Sequence, residues 1–225
     1  MKGINPLLYG LTDFYGTSGA FQGLGLGTGK AASLIAQANG GTGISAQAKG
    51  ISELYTVVKA GRDRNALAGF NATVRSLFRD TGSTSLQGFV TFGLASVING
   101  RREAFTELMG RVSTLNAQGS PGLGMSLVRQ AVKTYEDRGT AMAAAFIEAA
   151  GDIMDRNSSS PSEMASLLGS FADTWSAVLG QTKASKDVPD LGTLAKKAGT
   201  LESGALKDYL AQVNAAVRKA GSSPA

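Results

Sequence analysis

The chain of 225 residues contains no histidine and no cysteine. Histidine is the side chain that most readily moves a proton near neutral pH, and it is the commonest metal ligand. Cysteine supplies the strongest intrinsic nucleophile and the soft-metal ligand. Without them a serine–histidine–acid triad, a cysteine nucleophile, a disulfide framework and most zinc sites are all excluded. Charge is also scarce. Only 17% of residues are charged, against roughly 25% in ordinary soluble proteins. A chain with so few charges has little with which to cover a large surface, and a partner or further copies of the chain are expected to cover part of it. No run of 18 apolar residues occurs, which excludes a transmembrane helix. The longest apolar stretch, 88–98, is too short and is interrupted by Thr91 and Ser96. Lys2 is followed by Gly3, Ile4, Asn5 and Pro6, not by the apolar core of a signal peptide.

What remains is 43% hydrophobic, with 30 glycines, 22 basic and 17 acidic residues. The net charge of +5 is spread thinly, with Arg62-Asp63-Arg64, Arg101-Arg102, Lys196-Lys197 and Arg218-Lys219 as its densest places. None forms the basic run of a nucleic-acid arm, so nucleic acid is not an expected partner.

Residues 1–50 form a distinct glycine-rich segment. They carry only four charges, Lys2, Asp13, Lys30 and Lys49, and from Gly23 to Gly29 every second residue is glycine. Alternating glycine weakens helix and strand alike, so this segment is read as mostly irregular, with a short helix over 30–38. Tyr9, Phe14, Tyr15 and Phe21 give it apolar grip and make it a candidate interaction surface.

From residue 51 to 220 the apolar residues follow the helical period. Leu54, Val57, Val58 and Gly61 share one face, and Leu67, Phe70, Val74, Leu77 and Phe78 another. The phase slips across 61–65, where a break is expected. Thr84 and Gln87 have capping-box spacing. The next series runs from Val90 to Leu115, interrupted at Asn99-Gly100; Phe89-Val90-Thr91-Phe92 with Val97-Ile98 is also compatible with a strand. A single helix is expected from Leu123 to Arg156, about 50 Å if unbroken, with Gly139 tolerated inside it. Ser160-Pro161-Ser162-Glu163 reads as cap, first-turn proline and box-closing acid. A stripe of Met164, Leu167, Leu168, Phe171, Trp175, Val178 and Leu179 follows. After the polar linker 181–190 comes a last helical region, and 221–225 is read as a frayed tail. The expected fold is all-α: an elongated bundle or stacked hairpins of four or five helices.

Motifs for chemistry fail on inspection. The phosphate loop would require Gly at position 24 and Ser or Thr at 31, where the chain has Leu24 and Ala31. No serine stands three residues before a lysine, and Gly124-Met125-Ser126 lacks the second glycine of a nucleophile elbow. Glu148, Asp152 and Asp155 share a helix face and could hold a hard cation, or could form a solvated acidic face with Arg156 paired to Asp152. Glu107 and Arg111 have the spacing of an intrahelical pair. Trp175 fits a core anchor, and it is also a candidate contact residue.

The expectation is therefore a structural or interaction protein, not an enzyme, with no cofactor and no metal. Its partner would be itself, as a homo-oligomer or filament, or another protein. Its composition is similar to that of exported appendage subunits, although the terminal motifs of the flagellin family are absent. An extracellular or cell-surface location by a route without a cleaved signal peptide is favoured over the cytoplasm. A membrane-active helical protein and a carboxylate- or cation-dependent enzyme are the alternatives.

Overall fold

A computed structural model describes residues 22, 24–25, 44–61, 63–80, 83–181 and 185–222. Helix accounts for 85% of them, and no strand occurs among them. The all-α class is thus present, but the described residues form nine helices rather than four or five: α1 (Ile44–Ala60), α2 (Arg64–Arg79), α3 (Ser83–Ile98), α4 (Arg102–Ala117), α5 (Pro121–Arg138), α6 (Thr140–Arg156), α7 (Pro161–Leu179), α8 (Leu191–Thr200) and α9 (Ser203–Ser222). They belong to two compact units, residues 1–116 and 117–225.

In the first unit α1 packs against α2 and α3, and α2 against α3. Asp63 starts α2 by accepting hydrogen bonds from the Asn65 and Ala66 N–H groups at 2.9 and 3.2 Å, which satisfies donors that a helix start leaves open. The expected break at 61–65 is this cap. The core is aromatic. Rings of Tyr55, Phe70, Phe89 and Phe105 follow one another at centroid separations of 6.2, 6.1 and 5.6 Å, and Phe92 meets Phe105 edge-on at 5.9 Å. The residues Phe89 to Phe92, compatible with a strand by composition, are helical, and Leu86, Phe89, Val90 and Phe92 of α3 are all buried. Asn99-Gly100 ends α3, with Gly100 at φ +69°. The backbones of α2 and α4 meet at Gly69. Its Cα faces the Met109 carbonyl so closely that no side chain fits between them. Asn65 adds a bond across the same interface, from Nδ2 to the Gly110 carbonyl at 3.2 Å. Glu107 and Arg111 form the expected pair at 3.1 Å.

In the second unit the single helix expected over 123–156 is two helices. Gly139 stands between them at φ +82°, ψ 177°, a conformation essentially confined to glycine. Its N–H closes α5 on the Tyr135 carbonyl at 2.8 Å, and its own carbonyl accepts from Ala143 N–H at 3.2 Å to open α6. The two helices pack on each other. Unbroken apolar phase concealed the break, because both sides face the same core. Helix α7 touches α5, α6, α8 and α9. Phe146 and Phe171 stack at 5.5 Å, and both rings meet Trp175, at 5.2 and 5.7 Å. Pro161 opens α7 as expected, but Ser160 makes no side-chain capping bond; the capping geometry is not adopted there. The last helical region is two helices, with Asp190 capping α8 through Thr193 N–H at 2.7 Å. Gly221 and Ser222 continue α9, while 223–225 lie outside the described residues.

Candidate functional site

Polar side chains in the second unit are committed helix to helix. Thr134 donates its hydroxyl to the Gln130 carbonyl at 2.7 Å and accepts from Trp175 Nε1 at 2.9 Å. The neighbouring Thr174 does the same one face over, donating to the Ser170 carbonyl at 2.7 Å and accepting from Asn214 Nδ2 at 2.8 Å. Residues 174 and 175 therefore tie α7 to both α9 and α5. A hydroxyl back-bonded to the turn below is fixed in direction, so its lone pair becomes a preset acceptor.

A second adjacent pair fastens the α8–α9 corner. Arg156, the last residue of α6, directs its guanidinium to the carbonyls of Ala198 and Gly199. Those carbonyls belong to the open, partially negative end of α8, where a cation is favoured. Asn157 donates Nδ2 to the Ile153 carbonyl at 2.8 Å and accepts at Oδ1 from Ser203 at the start of α9. The expected Arg156–Asp152 pair is not what forms; the guanidinium is drawn to the helix end instead. Glu148, Asp152 and Asp155 point to no cation. They are exposed, and the described residues contain no cluster of three acidic side chains able to hold a metal.

A cleft of about 540 Å³ opens where the ends of α5 and α7 meet the start of α8. Arg138 stands at the end of α5, Met142 in α6 and Val178 near the end of α7; the connection contributes Val188 and Pro189, and Asp190 and Leu191 begin α8. The walls are largely apolar, with one cation and one anion. Hydrogen bonding from Thr193 N–H holds the Asp190 carboxyl below its ordinary range, so it is charged at neutral pH. Nearby on α9, burial and the charge of Asp190 push the Tyr209 phenol upward. Its hydroxyl stays protonated, is buried and has no hydrogen-bond partner among the described residues. Chemically the cleft can hold a small apolar group. Asp190 caps the start of α8, and it and Arg138 are not arranged as nucleophile and base.

Of the residues expected to make contacts, Tyr9, Phe14, Tyr15 and Phe21 lie outside the described residues. Trp175 has no exposed surface and occupies the centre of the second unit, the place of a core anchor. Sequence reading did not single out Asp190 or Arg75, whose Nε donates to the Leu24 carbonyl at 2.6 Å, and it paired Arg156 with Asp152. Asp190 carried a usable signal, an acid directly before the apolar series Leu191 and Leu194. Arg75 and Arg156 act on main-chain groups distant in sequence, which leave no pattern in the residue order. No helix of the described residues is long and apolar enough to cross a membrane. The chain matches no family model, no curated protein and no solved structure.

Proposed function

We propose that this chain is a structural or interaction protein, a helical subunit that self-associates in a larger assembly through its low-charge amino-terminal segment. One contrast carries the reading. Among the described residues Ile98 is the exposed large hydrophobic side chain; the apolar stripes of the helices are otherwise spent inside the fold. Residues 1–50, in contrast, hold four charges together with Tyr9, Phe14, Tyr15 and Phe21. Apolar, low-charge material of this kind suits a contact surface, because association removes apolar side chains from water. The reading assigns the chain no catalytic step, cofactor or metal. Polar groups that bond helix to helix hold the helices of the second unit in place, which suits an assembly role. An exported surface appendage is the setting that the composition fits best.

Size-exclusion chromatography with light scattering tests this on the full chain and on a variant lacking residues 1–20. The full chain should run above monomer mass, increasingly so with concentration, and the shortened chain should run as a monomer. A full chain that stays monomeric at high concentration would refute the proposal.

A further inference from the structure

The cleft at the ends of α5, α7 and α8 is bordered by donors that bond to nothing else. Gly139 reverses the chain at φ +82°, and Arg138 at the end of α5 and Met142 in the first turn of α6 line the same cleft. Val178 and Gln181 join it from the end of α7, and Leu191 from the start of α8. Val178 and Leu191 are buried and Met142 is half-buried, so the inner walls are apolar. Arg138 is exposed and Gln181 half-buried, so the polar groups stand nearer solvent. Neither the Arg138 guanidinium nor the Gln181 amide has a hydrogen-bond or ion-pair partner among the described residues. Elsewhere in the same unit Arg156, Trp175 and Asn214 all donate from one helix to another, which sets these two apart.

The two charges at the cleft are not equivalent. Asp190 accepts from Thr193 N–H at 2.7 Å and is occupied as a helix cap. It does not pair with Arg138, so the guanidinium is left unneutralised with its N–H donors open. A carboxylate is the group that fits a guanidinium fork, and an amide N–H can add to it. The cleft volume of about 540 Å³ falls within the roughly 300–1,000 Å³ of sites that take small molecules, which combine apolar walls with a few polar groups that orient the ligand. Apolar walls with an open cation select an amphipathic anion. Its apolar body leaves water against Met142, Val178 and Leu191, and its head group neutralises Arg138.

We propose that this cleft binds a small aliphatic carboxylate, with the head group on Arg138 and Gln181 and the alkyl body on the apolar walls. The site stands apart from the self-association reading and holds whether or not the chain associates. Equilibrium dialysis of the full chain against octanoate, octanol and octylammonium tests it, since the three share one alkyl body and differ in head-group charge. Octanoate should bind saturably, one per chain, and about tenfold or more tighter than octanol, the weight of a charge-assisted hydrogen bond. Octylammonium should bind more weakly than either. Butyrate, with less alkyl body to bury, should bind about tenfold or more weakly than octanoate. Arg138→Gln should remove the preference for octanoate and leave octanol binding unchanged. Arg138 is exposed and ends its helix, so this variant should fold, as circular dichroism checks; the head-group comparison on the parent chain needs no variant. No saturable octanoate binding, equal binding of octanol, tighter binding of octylammonium, or parent-like octanoate binding by Arg138→Gln overturns the proposal.

Discussion

Replacing Gly69 by alanine sets two physical effects of opposite sign against each other. Gly69 lies inside α2, and alanine there would by propensity alone stabilise a helix by about 1 kcal/mol. Packing predicts the reverse. A Cβ at this position would sit 2.6 Å from the Met109 carbonyl carbon and 3.0 Å from the Ser113 nitrogen. Both are backbone atoms of α4, so no side-chain rotation relieves the contact. Carbon atoms rest at about 3.5 Å or more, and the Met109 carbonyl oxygen lies nearer still, so the two helices would have to part by more than about 1 Å. Overpacking of this kind costs about 1–3 kcal/mol, with the upper end expected where backbone meets backbone. Parting also stretches the Asn65 bond to the Gly110 carbonyl, a further loss of about 1 kcal/mol. The net expectation is destabilisation by about 2–3 kcal/mol, or a fall of about 1–2 M in urea midpoint at an ordinary slope. Gly169→Ala is the control: Gly169 lies in α7 with nothing near its absent Cβ, and the same substitution should stabilise by about 1 kcal/mol. Trp175, the single tryptophan, reports the second unit by fluorescence, while far-ultraviolet circular dichroism reports both units. If Gly69→Ala raises the midpoint, the close α2–α4 approach is wrong.

Arg156→Ala should destabilise the second unit by about 2–3 kcal/mol through loss of the charged bonds to the α8 end; Arg156→Lys, which keeps charge without the fork, should recover only part of this in fluorescence-monitored urea unfolding. Trp175→Phe should cost about 1–2 kcal/mol in thermal unfolding, because the ring still fills the core but the bond to Thr134 is gone; a midpoint equal to the parent's would count against that bond. Asp190 has its pKa lowered in the fold, so its cap contributes fully above the unfolded carboxylate range near 3.8 and is lost as pH falls through the lower folded value. Asp190→Asn, which caps without titrating, should remove that part of the acid dependence, whereas Asp190→Ala should cost roughly 1 kcal/mol at neutral pH. Equal acid dependence in parent and Asp190→Asn would show that the cap does not titrate in this way.

The helical class, the breaks at 61–65 and 99–100, the proline start of α7, the linker before α8 and the Glu107–Arg111 pair were legible in the amino-acid order. Each follows from a local rule: periodic apolar residues, a capping acid, a glycine, a charge one turn away. The division at Gly139 was not legible, because a glycine within a continuous apolar phase fits a straight helix as well as a reversal. Only the packing of α5 on α6 distinguishes them. The candidate contact surface at Tyr9, Phe14, Tyr15 and Phe21 comes from the order of residues alone, and the bond of Arg75 to the Leu24 carbonyl from the fold alone. Arg156 shows why. Its sequence neighbours offered Asp152 as a partner, but in three dimensions the end of α8 lies within reach and presents two open carbonyls, a better match for a guanidinium than an exposed carboxylate. Local order thus determined which segments are helices and which reactive groups the chain lacks. Tertiary structure decided where each cation goes and which glycines are indispensable, since both depend on backbone brought together from distant parts of the chain.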